Sequence, residues 1–375
     1  MAMVSIGDAD DRRSWSGTPY FAKQELERRF GRVALLKVPL LDKIVDRANP
    51  IARKLGFDIS RWPILLAAYG RSVDRQIADI DPDIIVAVGG AWKLYGSQTK
   101  VPTIFVSDGL FVSISRYYAK FRKLRSDTVR NLVDAERAFV TRPTTHLLMM
   151  AQWCADEAQD AYALPDTHVR MAPIGANLDD PPSREVLDHA KSAPNLLWIG
   201  VDWERKGGPE LLRAFALLRK NVPAAALHIV GMKPADAEGV PGVSVHGFLR
   251  KNVAEERDKL LQLFVDARLF VMLSREEAFG LVYCEAAAYG IPAIGYATGG
   301  VETIVKNGET GRLLPRSASD EAVAEAVADL LTDNETYHQM RIKSRDRFEN
   351  VLNWGVWGDA IEAQISAITA KKADA

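Results

Sequence analysis

The feature that most constrains this chain is the repeated alternation of short apolar, β-branched runs with amphipathic helical patterns. Such runs stand at Val33–Val38, Ile84–Val88, Thr103–Val106, Leu196–Ile199, Leu227–Val230 and Leu269–Leu273. Four to six apolar residues without polar alternation mark strands buried on both faces, the condition of a parallel sheet covered by helices. The expected fold class is α/β with two doubly wound parallel sheets, since 375 residues exceed one core at about 150 residues per domain. The best boundary is Pro173–Pro182, where Gly, Asn, Asp and paired prolines interrupt helix and strand alike. It divides the chain into residues 1–180, 181–355 and a terminal segment 356–375. Trp354 and Trp357 flank glycines before a helical stretch from about Asp359 to Lys371. Exposed tryptophans are costly, so this tail is expected to dock, with the first domain as the candidate.

Composition narrows the function classes. Apolar residues make up 47 % and charged residues 26 %, and 48 Lys plus Arg nearly cancel 49 Asp plus Glu. That excludes a disordered or collagen-like chain, and a net charge of −1 removes the electrostatic footprint of a nucleic-acid binder. No stretch approaches the roughly 18 apolar residues of a membrane span, and the opening residues run into Asp8, Asp10 and Asp11 without a signal-peptide core. The expectation is a cytoplasmic protein. Cys154 and Cys284 lack metal-ligand spacing and read as free buried thiols. His146, His168, His189 and His338 likewise carry no ligand spacing and read as structural. Neither a metal nor a cofactor is expected.

In Ile199-Gly200-Val201-Asp202-Trp203-Glu204-Arg205-Lys206-Gly207-Gly208-Pro209 a strand ends at Gly200 and a helix begins at Pro209, with Leu211, Leu212, Phe215 and Leu218 as its buried stripe. Arg205 and Lys206 thus stand beside a helix N-terminus at the carboxyl edge of a parallel strand. This is where open α/β sheets bind ligands, and unpaired N–H groups with two cations suit a diphosphate. The competing reading is a solvated basic loop. In Ser274–Pro292, Glu277 lies before a helix that starts near Gly280 and Glu285 lies in its second turn. Eight helical residues would rise about 12 Å, too far for a hydrolytic carboxylate pair at roughly 5 to 9.5 Å. The spacing suits a long ligand: a sugar near Glu277, a phosphate at the helix amides, and ribose hydroxyls at Glu285. Gly299-Gly300-Val301-Glu302 opens another helix, and Asn307–Gly311 makes a tight turn before Arg312.

These motifs, with Ile229-Val230-Gly231 and His246-Gly247-Phe248, resemble in order the C-terminal domain of the retaining glycosyltransferases of family 4, over about Asn195 to Pro315. The resemblance implies a GT-B fold, two Rossmann-like domains facing a central cleft, with an acceptor-binding N-terminal domain and a nucleotide-sugar-binding C-terminal one. It implies that Lys206 and Arg205 contact the donor diphosphate, that Glu277 sits near the transferred sugar and that Glu285 binds the ribose. Backbone amides of Phe279, Gly280 and Leu281 would meet phosphate and sugar. Gly231 and Phe248-Leu249-Arg250 fall where relatives contact the base. Val201 departs from the pattern, since many relatives carry Arg there, and Arg205 is the substitute charge.

The first half matches more loosely. Gly17, in Trp15–Tyr20, follows the first strand where relatives place a glycine-rich loop; it would admit a phosphate or acceptor, or merely serve a capped turn. Asp108 ends a strand where many relatives place a histidine; it would contact acceptor or sugar hydroxyls, or cap a turn. Residues 116–125 hold five cations and three aromatics, either a contact with an anionic membrane surface or a solvated helix face. The expected activity is retaining transfer of a sugar from a nucleoside-diphosphate sugar to an acceptor hydroxyl of a glycan, lipid or small molecule. The cations would replace a metal in stabilising the leaving group. The alternatives are a nucleotide-sugar epimerase or hydrolase on the same scaffold, or a non-catalytic nucleotide-sugar-binding subunit.

Overall fold

The computed structural model describes residues 1–188 and 193–373. It divides into two compact units, Met1–Asn177 with Trp354–Ala375, and Leu178–Asn353. His189 lies outside the described residues.

Unit 1 runs β1 (Ala2–Ser5), α1 (Thr18–Phe30), β2 (Ala34–Leu35), α2 (Pro39–Lys54), α3 (Pro63–Ile80), β3 (Ile85–Val88), β4 (Thr103–Ser107), α4 (Phe111–Tyr117), α5 (Ser126–Val140), β5 (Thr145–Met149), α6 (Gln152–Tyr162) and β6 (Val169–Met171). Its sheet is parallel, ordered β2-β1-β3-β4-β5-β6. Unit 2 runs β7 (Asn195–Ile199), α7 (Gly208–Asn221), β8 (Ala226–Val230), β9 (Val243–Gly247), α8 (Ala254–Asp266), β10 (Leu269–Met272), α9 (Leu281–Ala288), β11 (Ala293–Tyr296), α10 (Val301–Ile304), β12 (Gly311–Leu314), α11 (Asp320–Thr332) and α12 (Asn334–Asn350). Its sheet is also parallel, ordered β12-β11-β10-β7-β8-β9. Each unit is a doubly wound α/β fold, and strands β3, β4, β5, β10 and β11 are buried along their whole length.

The run Val33–Val38 is not a six-residue strand. Only Ala34 and Leu35 pair, at the sheet edge and against Ala2 and Met3 of β1, before Pro39 opens α2. An edge strand has one neighbour to hold it, and here the chain leaves β1 after two pairs although β1 itself continues to Ser5. The tail also differs from expectation: the last helix of unit 1, α13 (Trp354–Ala373), starts at Trp354, not near Asp359. Trp354 stacks on Phe21 of α1 at 6.3 Å, Trp357 is fully buried, and Arg29 bonds the Gly355 carbonyl while pairing with Asp359. Packing against α1 carries the helix through glycines that sequence alone reads as breaks.

Residues 116–125 are not one helix with an aromatic outer face. α4 ends at Tyr117, Phe121 is buried edge-on to Phe111, and Tyr117 lies against Trp153. The cations Arg116, Lys120, Arg122, Lys123 and Arg125 remain exposed. Cys154 and Cys284 are free and buried. No described helix is long and apolar enough to cross a membrane. His146 stacks on His168, and His338 is exposed.

Candidate functional site

In the unit 2 sheet the strand order reverses between β7 and β10, the two central neighbours. A crevice opens at the carboxyl ends of strands at such a reversal, so the loops after β7 and β10 are the ones that line it. Those two loops carry Arg205 with Lys206, and Glu277.

The loop after β7 is shaped by two tryptophans and an aspartate. Trp198 is buried in the strand and donates Nε1 to the Lys206 carbonyl at 3.2 Å, while Trp203 packs edge-on to it at 5.0 Å. The Asp202 carboxylate accepts from the Arg205 backbone N–H at 3.2 Å and from its guanidinium at 3.0 Å. The loop after β10 is tied alongside, because the Arg275 N–H donates to the Arg205 carbonyl at 2.8 Å.

Across that join, Lys206 Nζ donates to Glu277 Oε2 at 3.0 Å, and Arg205 Nη1 lies 3.7 Å from the same oxygen. The Ser274 hydroxyl donates to it as well, at 3.2 Å. The Lys206 and Glu277 side chains keep only 13 % and 12 % of their exposure, so the pair is mostly withdrawn from water yet still reachable. Arg205 also donates to the Glu276 carbonyl at 2.5 Å. Two cations, one carboxylate and one hydroxyl therefore meet 71 residues apart in sequence, at the strand-order reversal.

Immediately after Glu277, Gly280 caps α9 at φ 100°, a left-handed turn that a side chain would strain. No side chain caps α9, so its first amides present the positive end of the helix beside this cluster. Phe279 and Leu281 flank that turn. The 12 Å rise between Glu277 and Glu285 does not apply, because only Leu281 onward is helical and the left-handed Gly280 breaks the axis before it.

Glu285 is 5 % exposed and pairs with Lys251 Nζ at 2.7 Å. This pairing was not anticipated: Lys251 follows Phe248-Leu249-Arg250, and it draws that loop to the α9 carboxylate. Arg250 itself is engaged by Glu256 at 2.8 Å, and Phe248 is 66 % exposed. Gly231 sits at φ 105°, and a Cβ there would lie 2.2 Å from the Gly200 carbonyl. The chain ends of β7 and β8 thus approach backbone to backbone. Val201 is exposed beside them.

In unit 1 the reversal falls between β1 and β3. The segment after β1 holds Trp15 at φ 42° and Ser16 at φ 58°, followed by Gly17 at φ 88°. Two consecutive non-glycine residues in the left-handed region store strain that their surroundings must hold. Buried Asn177 does so, donating Nδ2 to the Ser16 carbonyl at 2.8 Å and accepting from Trp354 Nε1 at 3.1 Å. Asp108 follows β4, one strand further on. Gly17 and Asp108 lie in unit 1, whereas Arg205, Lys206, Gly231, Phe248, Leu249, Phe279, Gly280, Leu281, Glu277 and Glu285 lie in unit 2. Sequence reasoning missed Ser274 and Lys251; the first directly follows a strand run and the second a base-contact stretch, the only signals either offered. No cluster of three or more His, Cys, Asp or Glu that could hold a metal occurs among the described residues.

These two units, each a parallel sheet with its ligand edge marked, define an α/β protein of the GT-B fold. Sucrose-phosphate synthase from Thermosynechococcus elongatus is similar over 99 % of this chain and 100 % of that one, with TM-score 0.69 at 19 % identity. Anabaena HepE in complex with UDP and glucose is similar over 98 % and 100 %, with TM-score 0.65 at 12 % identity. At these identities the likeness is one of fold. The family model described as Glycosyl transferases group 1 matches residues 179–347. A GDP-mannose-dependent alpha-(1-6)-phosphatidylinositol monomannoside mannosyltransferase of Mycobacterium tuberculosis is 30 % identical over 342 residues, 83 % of this chain and 84 % of that protein. The chain belongs to the glycosyl transferases group 1 family. Some curated relatives match only in part: the D-inositol 3-phosphate glycosyltransferase of Nocardia farcinica is 27 % identical over 51 % of this chain, which spans 46 % of that relative.

Proposed function

We propose that this protein is a retaining glycosyltransferase of family 4 that moves a sugar from a nucleoside-diphosphate sugar to an acceptor hydroxyl. The observation that carries the reading is the meeting of Lys206 and Arg205 with Glu277 at the uncapped start of α9, at the strand-order reversal of unit 2. Family membership and the relatives' names support the direction: one relative is GDP-mannose-dependent, and HepE was solved with UDP and glucose.

In this reading the barrier is the separation of an oxocarbenium-like sugar from a departing diphosphate. Lys206, Arg205 and the α9 amides at Phe279, Gly280 and Leu281 stabilise the charge that develops on the leaving group, in a site largely withdrawn from water. Those cations do the work of a metal, so turnover is expected to survive chelation. Glu277, held by Ser274 and both cations, is positioned for the sugar, and Glu285 for the ribose. Unit 1 receives the acceptor, with Asp108 and the strained Gly17 loop as its contacts.

The test is product analysis with uridine, guanosine and adenosine diphosphate sugars, with and without an acceptor panel, reading the anomeric configuration by NMR. The reading expects acceptor-dependent release of the nucleoside diphosphate and a retained configuration. Equal release without acceptor would indicate a hydrolase or epimerase, and an inverted product would overturn the retaining assignment.

A further inference from the structure

Six of the ten large hydrophobic side chains left exposed among the described residues fall within 25 positions of unit 1: Leu40 (76 %), Ile44 (52 %), Ile51 (65 %), Leu55 (69 %), Trp62 (45 %) and Ile64 (74 %). Scattered exposed leucines are ordinary, but a concentration of this kind marks an interaction surface. The first four belong to α2 and its C-cap. At 100° per residue they fall within about 60° of one another, and roughly opposite the buried pair Val45 and Asn49. Leu41, Ala48 and Ala52 fill the arc between them, so the apolar arc of the helix runs well past the part that the protein core covers.

Charge says what covers the other. Lys43, Arg47 and Lys54, all exposed, border the outer stripe along one edge, within about 60° of Leu40 on the same wheel. Of the two acids of α2, Asp42 is half-buried and held by Lys93 Nζ at 2.9 Å, and exposed Asp46 lies about 60° beyond Lys43, away from the stripe. The basic segment adds to this border. The Arg125 N–H donates to the Gly56 carbonyl at 2.8 Å, just past α2, and the Arg125 guanidinium lies 5.0 Å above the Phe57 ring while pairing with Asp127. Arg53 of α2 lies 5.4 Å above the Phe121 ring. Exposed Arg122 and Lys123 are thereby carried to the C-terminal end of the helix.

An apolar stripe edged by cations, on a helix lying flat against its domain, fits the boundary between head groups and acyl chains of an anionic bilayer. We propose that the outer face of α2, with Trp62 and Ile64 beyond it, docks unit 1 on an anionic membrane surface, with α2 in the plane of the interface. Of the aromatics of residues 117–121, Phe121 is buried and Tyr117 and Tyr118 are half-buried against neighbouring side chains, so that segment is assigned charge and not insertion. This surface is independent of the sugar-transfer chemistry, so its test reads binding, not activity.

The full chain is sedimented with vesicles of phosphatidylcholine alone and with phosphatidylglycerol added, at low salt and at 0.5 M NaCl, a range that screens surface charge. Binding is expected only with the anionic vesicles and is expected to weaken with salt. Ile44→Glu with Ile51→Glu should lower the partition at least tenfold without lowering the melting temperature, since both side chains are exposed. Arg122→Ser with Lys123→Ser should lower it by roughly fivefold per cation. Failure of the wild type to bind anionic vesicles at low salt overturns the proposal, and so does wild-type binding by the Ile44→Glu, Ile51→Glu variant. A dimer in analytical ultracentrifugation that this variant dissociates would assign the face to a second copy of the chain and would overturn it equally.

Discussion

Removing Lys206 should have separable effects on stability and on donor binding. Its ammonium lies 3.0 Å from Glu277 Oε2, and at an effective dielectric constant near 20 the gross attraction is about 5 kcal/mol. Desolvation of both groups offsets much of that. Arg205, at 3.7 Å, stays behind with the Ser274 hydroxyl to hold the carboxylate. The net loss in Lys206→Ala is therefore put at about 1 to 2 kcal/mol, a melting shift of roughly 2 to 8 °C for a domain of this size class. Donor binding loses a contact that Arg205 and the α9 amides do not replace, and a charge-assisted phosphate contact contributes about 1.5 to 3 kcal/mol, or roughly 10- to 150-fold in affinity. The double variant Lys206→Ala, Glu277→Gln removes the carboxylate left short of charge, so it should regain most of the lost stability. It should not regain donor affinity. The assay is a double-mutant cycle, with thermal melts for stability and calorimetric titration with the diphosphate for binding. Recovery of affinity in the double variant would rule out a diphosphate contact, because Lys206 would then serve only to neutralise Glu277.

Gly231→Ala forces a left-handed residue and sets a Cβ 2.2 Å from the Gly200 carbonyl, so a loss of about 2 to 4 kcal/mol is expected; an unchanged urea midpoint would contradict it. Asn177→Ala should cost about 1 to 3 kcal/mol by stranding the Ser16 carbonyl and Trp354 Nε1, with Trp354→Phe milder, and equal melting temperatures for wild type and Asn177→Ala would refute the bracing role. On adjacent strands β8 and β9, His228 Nδ1 and His246 Nε2 lie 3.1 Å apart. Burial, Lys259 and His228 hold His246 at about 4, and burial also holds His228 below the usual imidazole value. The unfolded chain takes up these protons near pH 6.5 while the folded one does not, so their contribution is complete above that pH and is lost as pH falls toward 4. Melting temperature should fall from pH 7.5 to 5, and His246→Gln should flatten the slope; an identical slope in the variant would remove these histidines from the account.

The α/β class was legible because strands such as Ile85–Val88 and Leu269–Met272 are buried on both faces and so read as unbroken apolar runs. The edge of the sheet was not, since Val33–Val38 has the same composition but only two residues with a partner. The glycines around the unit 2 site were legible for a local reason: Gly280 opens a helix left-handed. The ion pairs were not, because Lys206 to Glu277 spans 71 residues and Lys251 to Glu285 spans 34, and only the strand order brings those loops together. Helix α2 illustrates a further limit. Its sequence carries one broad apolar arc, and periodicity cannot say that Val45 faces the core while Ile44 faces outward.

The proposed sugar transfer requires that Lys206 and the start of α9 hold a diphosphate. Thermal melts of the wild type and of Lys206→Ala with uridine, guanosine and adenosine diphosphates test it most directly. A nucleotide that binds the folded state at a hundred times its dissociation constant stabilises it by about 2.7 kcal/mol. One of the three is expected to raise the wild-type melting temperature, and Lys206→Ala is expected to lose most of that rise. No rise with any of the three at millimolar concentration, or an undiminished rise in Lys206→Ala, would contradict it.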